Sequence, residues 1–201
     1  MADALDLSTP TTQLDAVNWS LRANGFPPIN SLSGVIGRDA SAALTWLADA
    51  TRELCLKGFW FCRRHVSLVP DDNGYLNLPG NCLSIASPNW HDLWREGLFP
   101  DPGMRDDWLR LRPVMRQGKV FSVINQTYVW TRPLTILMRE AINFEDMPEE
   151  ARRYLQVLAA SYLNGGTLRS PDVDKRLQPL LTLTWDALID AELENSDHRF
   201  L

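Results

Sequence analysis

Residues 146–195 are written as two helices with the ends of each marked, and that punctuation constrains the fold more than anything else in the chain. Asp146-Met147-Pro148-Glu149-Glu150 opens the first helix. Asp146 and Glu149 have the spacing of a capping box, and Pro148 falls in the first turn, where a missing N–H does no harm. Tyr154, Leu155, Leu158, Ala159 and Tyr162 form one apolar stripe, and Gly165-Gly166 break the helix. Ser170 then caps a second helix, with Pro171 at its first position and Asp172 at its positive end. Val173, Leu177, Leu180, Leu181, Thr184, Trp185, Leu188 and Ile189 follow at near-heptad spacing. Pro179 conflicts with this pattern and should either kink the helix or divide it. A continuous helix to Asn195 would be about 37 Å long.

A second helix pair occupies the other end. The first member runs from about residue 12 to 24, capped by Thr11 or Thr12, with Leu14, Val17 and Leu21 at helical spacing. Gly25 supplies a left-handed stop and Pro27-Pro28 prevent continuation. Asp39 can cap the next helix, which reaches about Lys57 and ends at Gly58; Leu44, Leu47, Thr51 and Leu54 mark one face.

Between the two pairs the period changes from helical to alternating. Val66–Val69, Tyr75–Leu78, Cys82–Ala86, Lys119–Val123, Thr127–Trp130 and Leu134–Arg139 read as short strands. Pro70-Asp71-Asp72-Asn73-Gly74 and Asn125-Gln126 mark turns, and the whole favours an antiparallel sheet with one wet face. Residues 87–113 interrupt this meander with Trp90, Trp94, Trp108 and several prolines. That insertion is either an Ω-type loop whose tryptophans cover its own base or a tip that binds a partner. The predicted class is therefore α+β: a four-helix bundle made by the N- and C-terminal helix pairs (residues 1–62 and 142–201, one folded unit) around a β-rich part (63–141).

Composition excludes several roles. The 201 residues carry a net charge of -5, unlike the basic domains that coat nucleic acid. No apolar run approaches the roughly 18 residues of a membrane span, and the first residues have neither the basic nor the hydrophobic region of a signal peptide. Cys55, Cys62 and Cys82 are odd in number and lack a Cys-x-x-Cys spacing, which reads as buried reduced thiols. His65, His91 and His198 are too scattered for a helical zinc site. Neither a phosphate loop nor a Gly-x-Ser-x-Gly elbow occurs. Asp71-Asp72, Asp106-Asp107 and Glu149-Glu150 are explained by turns, solvation and helix starts. Arg152-Arg153 could bind an acidic partner or form a solvated helix face. The basic run Arg110, Arg112, Arg116 and Lys119 beside Trp108 could touch nucleic acid, although the acidic total favours a protein partner. No catalytic residue, metal ligand or cofactor emerges.

The order of the pieces resembles a known family. Gly25-Phe26-Pro27-Pro28, Lys57-Gly58-Phe59-Trp60-Phe61, Leu78-Pro79-Gly80-Asn81-Cys82-Leu83-Ser84-Ile85, Phe144-Glu145-Asp146-Met147-Pro148-Glu149-Glu150-Ala151-Arg152-Arg153-Tyr154 and Ser170-Pro171-Asp172-Val173 occur in the succession of the tail tubular protein A family. These are the head–tail adaptors, or connectors, of short-tailed, podovirus-type bacteriophages. The resemblance covers the chain apart from about residues 87–108. It implies a structural, non-enzymatic virion protein made in the host cytoplasm and built into the tail. Twelve neighbouring copies would form a ring beneath the portal protein, extend the DNA channel and dock a tubular protein B-like tail nozzle. Genomic DNA would pass without specific binding; twelve copies at -5 each carry -60, which repels it. Within that frame Arg152, Arg153, Trp185, His198, Arg199, Phe200 and Leu201 are the candidates for the portal or ring interface. Trp90, Trp94, Trp108, Arg110 and Arg112 are the candidates for nozzle or fibre contacts. Competing readings are a monomeric α+β interaction module of non-viral role and an enzyme with an unrecognised site.

Overall fold

A computed structural model describes residues 9–34, 37–88, 93 and 108–195. The chain is an α+β protein that divides into two compact units. One consists of Met1–Leu54 with Ile142–Leu201, the other of Cys55–Ala141.

Among the described residues the first unit holds four α-helices: α1 (Gln13–Ala23), α2 (Arg38–Lys57) through Leu54, α3 (Glu149–Leu163) and α4 (Pro171–Asn195). Thr12 caps α1 in a reciprocal box: its hydroxyl accepts from the Asp15 amide while the Asp15 carboxylate accepts from the Thr12 amide. Gly25, with φ +78°, follows the last turn as its spacing predicts. Ala16, Val17, Ser20 and Leu21 are buried, and α1 packs along α3. Two buried polar groups cross that contact to α3 carbonyls. The Ser20 hydroxyl donates to Gln156 at 3.1 Å and the Asn24 amide to Ala160 at 3.0 Å. Val157 and Ala160 of α3 meet Val173 and Leu177 of α4, with Trp19, Ala23 and Leu181 at the margin.

Four expectations for the helices need correction. First, α2 begins at Arg38, so Asp39 lies in its first turn instead of capping it. Its buried stripe is Ala40, Ala43, Leu47, Ala50 and Leu54, while Leu44 and Thr51 are only half-buried. Three alanines supply most of this buried face, which leucine spacing cannot reveal. Second, no capping box forms at α3. Pro148 is itself the N-cap, and Asp146 ends a 3-10 turn over Phe144–Asp146, accepting from the Asn143 amide. Third, the buried set of α3 is Ala151, Leu155, Val157, Ala159, Ala160 and Leu163. Neighbours on more than one side spread burial beyond a single stripe, leaving Tyr154, Leu158 and Tyr162 half-buried. Fourth, a π-helical turn (Asn164–Leu168) links α3 to α4, and its left-handed residue is Arg169 (φ 52°), not a glycine. Fully buried Asn164 makes this possible: its side-chain carbonyl oxygen (Oδ1) accepts from the Ser170 amide, and its side-chain NH₂ donates to the Ser170 carbonyl and the Asp174 carboxylate. Gly166 serves a packing purpose, since a Cβ there would sit 3.0 Å from the Trp46 ring.

Helix α4 runs unbroken through Pro179. The proline is exposed, so water can satisfy the backbone carbonyl it leaves without a donor.

The second unit is built on an antiparallel sheet of order β1-β5-β2: β1 (Arg63–Leu68), β5 (Leu134–Glu140) and β2 (Cys82–Ala86), with a bulge between Cys82 and Ser84. A separate hairpin joins β3 (Pro113–Arg116) to β4 (Lys119–Ser122) through Gln117-Gly118, both at positive φ, as a primed two-residue turn requires. Strand β3 is not among those that the alternating pattern predicts. Residues 75–78 and 127–130 are not strands; they make isolated bridges, Tyr75 to Val129 and Asn77 to Lys119. Leu68, Leu76, Val120, Trp130, Leu134, Ile136 and Met138 form the core. Leu134, Thr135 and Ile136 are buried in succession, so the start of β5 is covered on both faces and departs from simple alternation.

Candidate assembly surfaces

The entrances of α1 and α3 are fastened to each other by side chains. The Glu149 carboxylate accepts from the Thr11 amide at 2.9 Å and its hydroxyl at 2.6 Å. Burial alone would raise the Glu149 carboxyl, but the Thr11 hydrogen bonds and the Arg153 guanidinium hold it below its ordinary value. Arg152 donates to the carbonyls of Met147, Thr11 and Glu145. Its side chain is 11% exposed. The expectation of a solvated helix face is therefore wrong for Arg152, which three carbonyls draw inward. It holds for Arg153, 66% exposed and paired with Glu149 one turn back.

Above this junction α3 and α4 leave a groove of about 490 Å³ lined by Glu149, Glu150, Arg153, Leu183, Thr184 and Ala187. Helix α4 carries two apolar stripes. Val173, Leu177 and Leu188 are buried, whereas Leu180 and Leu183 lie on a second stripe that ends at Ala187, with Leu183 65% exposed. The spacing read from the sequence puts Leu180 with the first stripe and leaves Leu183 and Ala187 out of it. Trp185 packs its ring 5.2 Å from that of Tyr154. Tyr162 donates to Glu53 and stacks edge-on against Trp46; desolvation and the Glu53 carboxylate push its hydroxyl up to about 12.

In the second unit Trp108 turns inward. Its indole packs on the core and donates to the Thr135 carbonyl at 3.0 Å, so this tryptophan covers its own base. Arg110 and Arg112 are exposed. Lys119 lies 3.8 Å above the Tyr75 ring and Arg116 4.3 Å above that of Phe121, so two members of the basic run are held against aromatic faces. The Asp71 carboxylate is occupied by its own turn, accepting from Asn73, Tyr75 and Asn77, and the Tyr75 amide first among these lowers its pKa. Trp90, Trp94, His91, His198, Arg199, Phe200 and Leu201 lie outside the described residues.

Charge divides unequally between the units. The helical unit has 9 Lys/Arg against 17 Asp/Glu, net -8, and the β unit 11 against 8, net +3, which together give the total of -5. Among the described residues no three His, Cys, Asp or Glu side chains are grouped to hold a metal ion, and no helix is long and apolar enough to cross a membrane.

Among the described residues the surface features that stand out are the exposed leucines of α4, the groove beside them and the opposite net charges of the two units. Residues 14–98, which span α1, α2, β1 and β2, match the family model described as tail tubular protein. Tail tubular protein A of Klebsiella phage KP34 is 25% identical over 154 residues, covering 76% of this chain and 72% of that protein. The resemblance to the tail tubular protein A family is thus shown, and these matches support a structural protein of the phage tail.

Proposed function

We propose that this protein is a head–tail adaptor that forms a ring beneath the portal protein, extends the DNA channel and docks the tail nozzle. The observation that carries this reading is the second apolar stripe of α4. A soluble monomer gains nothing by exposing Leu180 and Leu183 on its longest helix, whereas a heterologous contact repeated around a ring would bury them in every copy. Arg153 and Trp185 flank that stripe and would belong to the ring or portal contact, joined by the tail residues His198, Arg199, Phe200 and Leu201. The basic β unit, through exposed Arg110 and Arg112 and the tryptophans Trp90 and Trp94, would meet the nozzle or fibres. Arg152 and Trp108, both occupied within their own units, would support these surfaces from behind. Twelve copies would line the channel with a net negative charge concentrated in the helical units, letting genomic DNA slide. Assembly would take place in the host cytoplasm, with no cofactor and no reaction catalysed.

The test is light scattering after size-exclusion chromatography of the full chain, alone and mixed with the portal protein of the same phage. The adaptor reading expects co-elution as a ring-sized complex, and loss of that complex in Leu183→Glu while the variant's own melting curve stays unchanged. A chain that remains monomeric and separate from the portal protein overturns it and favours a monomeric interaction module.

A further inference from the structure

We propose that Cys55 and Cys62 form an oxidisable dithiol that closes into an intramolecular disulfide where α2 gives way to β1. Cys55 ends in the last turn of α2, and Gly58, at φ +80°, reverses the chain with its amide donating to the Cys55 carbonyl at 3.1 Å. A 3-10 turn over Trp60–Cys62 follows, closed by the Cys62 amide on Phe59, and returns Cys62 to Cys55. Both residues are fully buried, and the Cys62 thiol donates to the Cys55 sulfur at 3.0 Å. The turn is held from outside as well, by Arg139 on the Leu56 carbonyl at 2.9 Å and Arg63 on the Gly58 carbonyl at 3.3 Å. The sulfurs are therefore preset against each other and need approach by only about 1 Å to reach the ~2.05 Å of a disulfide bond.

The chemistry balances with a peroxide as oxidant. One thiolate attacks hydrogen peroxide to give a sulfenic acid and hydroxide. The second sulfur then attacks the sulfenic sulfur, the S–O bond breaks, and the net change is two thiols plus one peroxide to one disulfide plus two waters. Burial makes the oxidant wait for a local opening of the turn, after which the neighbouring sulfur outcompetes a second peroxide by proximity. Cys82 is a built-in control. It is partly exposed and hydrogen-bonded to the Ser84 carbonyl and the Met115 sulfur, with no second cysteine against it, and burial raises its thiol pKa, keeping it a poor nucleophile. The spacing of seven gave no hint of the pair, because neither a metal nor a redox motif uses it; the left-handed glycine and the 3-10 turn create it. The inference is independent of the adaptor reading.

Peroxide-treated full-length protein, denatured in the presence of an alkylating reagent, tests the proposal by intact mass and non-reducing peptide mapping. Untreated protein should take three labels; treated protein should take one, on Cys82, with a Cys55–Cys62 cross-linked peptide lighter by two hydrogen atoms. Cys82→Ser should keep that cross-link and Cys62→Ser should lose it. Partly exposed Met115 serves as a dosimeter. Three labels at a peroxide dose that has converted Met115 to its sulfoxide, or added oxygen on Cys55 or Cys62 without the cross-link, would overturn it.

Discussion

Replacing Asn164 by alanine should destabilise the helical unit more than any other single polar substitution in it. Asn164 is fully buried. Its side chain satisfies the Ser170 amide and carbonyl, both at 3.0 Å, and the Asp174 carboxylate at 2.6 Å. Alanine leaves these three groups short of a partner at roughly 1–2 kcal/mol each, with part of the loss recovered by water at the half-buried edge, so the expected cost is about 2–4 kcal/mol. At roughly 2–4 °C per kcal/mol for a chain of this size, the melting temperature should fall by on the order of 5–15 °C. Urea unfolding followed by circular dichroism, with an unchanged slope, measures it. Asn164→Asp separates hydrogen bonding from packing. It keeps the acceptor for Ser170 but loses both donors and places a second carboxylate against Asp174, so it should be no more stable than Asn164→Ala at neutral pH and should recover part of the loss in mild acid. A loss below about 0.5 kcal/mol in the alanine variant would refute the argument, because surface substitutions without such a role fall in that range.

Other predictions concern single contacts. Because the folded Glu149 carboxyl lies below its ordinary value of 4.5, its contribution to stability is complete above that value and lost as the pH falls through the folded one; Glu149→Gln should flatten this acid limb in a pH-dependent melt. Gly58→Ala places a Cβ 2.6 Å from Arg139 Nε at φ +80°, so it should cost about 1–3 kcal/mol by denaturant titration and release Arg139 from the Leu56 carbonyl. Tyr162→Phe removes the donor to Glu53 but keeps the ring against Trp46, and should cost roughly 0.5–1.5 kcal/mol, with the ultraviolet titration step near pH 12 disappearing.

The local signals were legible to different depths. Thr12, Gly25, Gly58 and Pro171 are placed where their spacing indicates, since a cap or a left-handed stop acts on neighbours within a few positions. The Asp146–Glu149 spacing misled for the same reason in reverse: the box is a local option, and Glu149 takes a better one in Thr11, 138 positions away. At the surfaces, Leu177, Leu180 and Leu181 of α4 read as one stripe, and neither the exposure of Leu180 nor the place of Leu183 was visible, because burial depends on where α3 lies against the helix.

The sequence by itself determined the α+β class, the four helices and most of their ends, the three strands of the main sheet and the likeness to phage tail tubular proteins. All of these rest on periodicity, capping and turn chemistry within short windows. Only the tertiary structure decided that Arg152 ties the entrance of α1 to that of α3, that Trp108 packs against the core, that Asn164 governs the turn before α4, that Leu183 stays exposed and that Cys55 meets Cys62. Those outcomes depend on which distant group offers the better hydrogen bond or the drier contact, and that competition is settled only when the chain has folded.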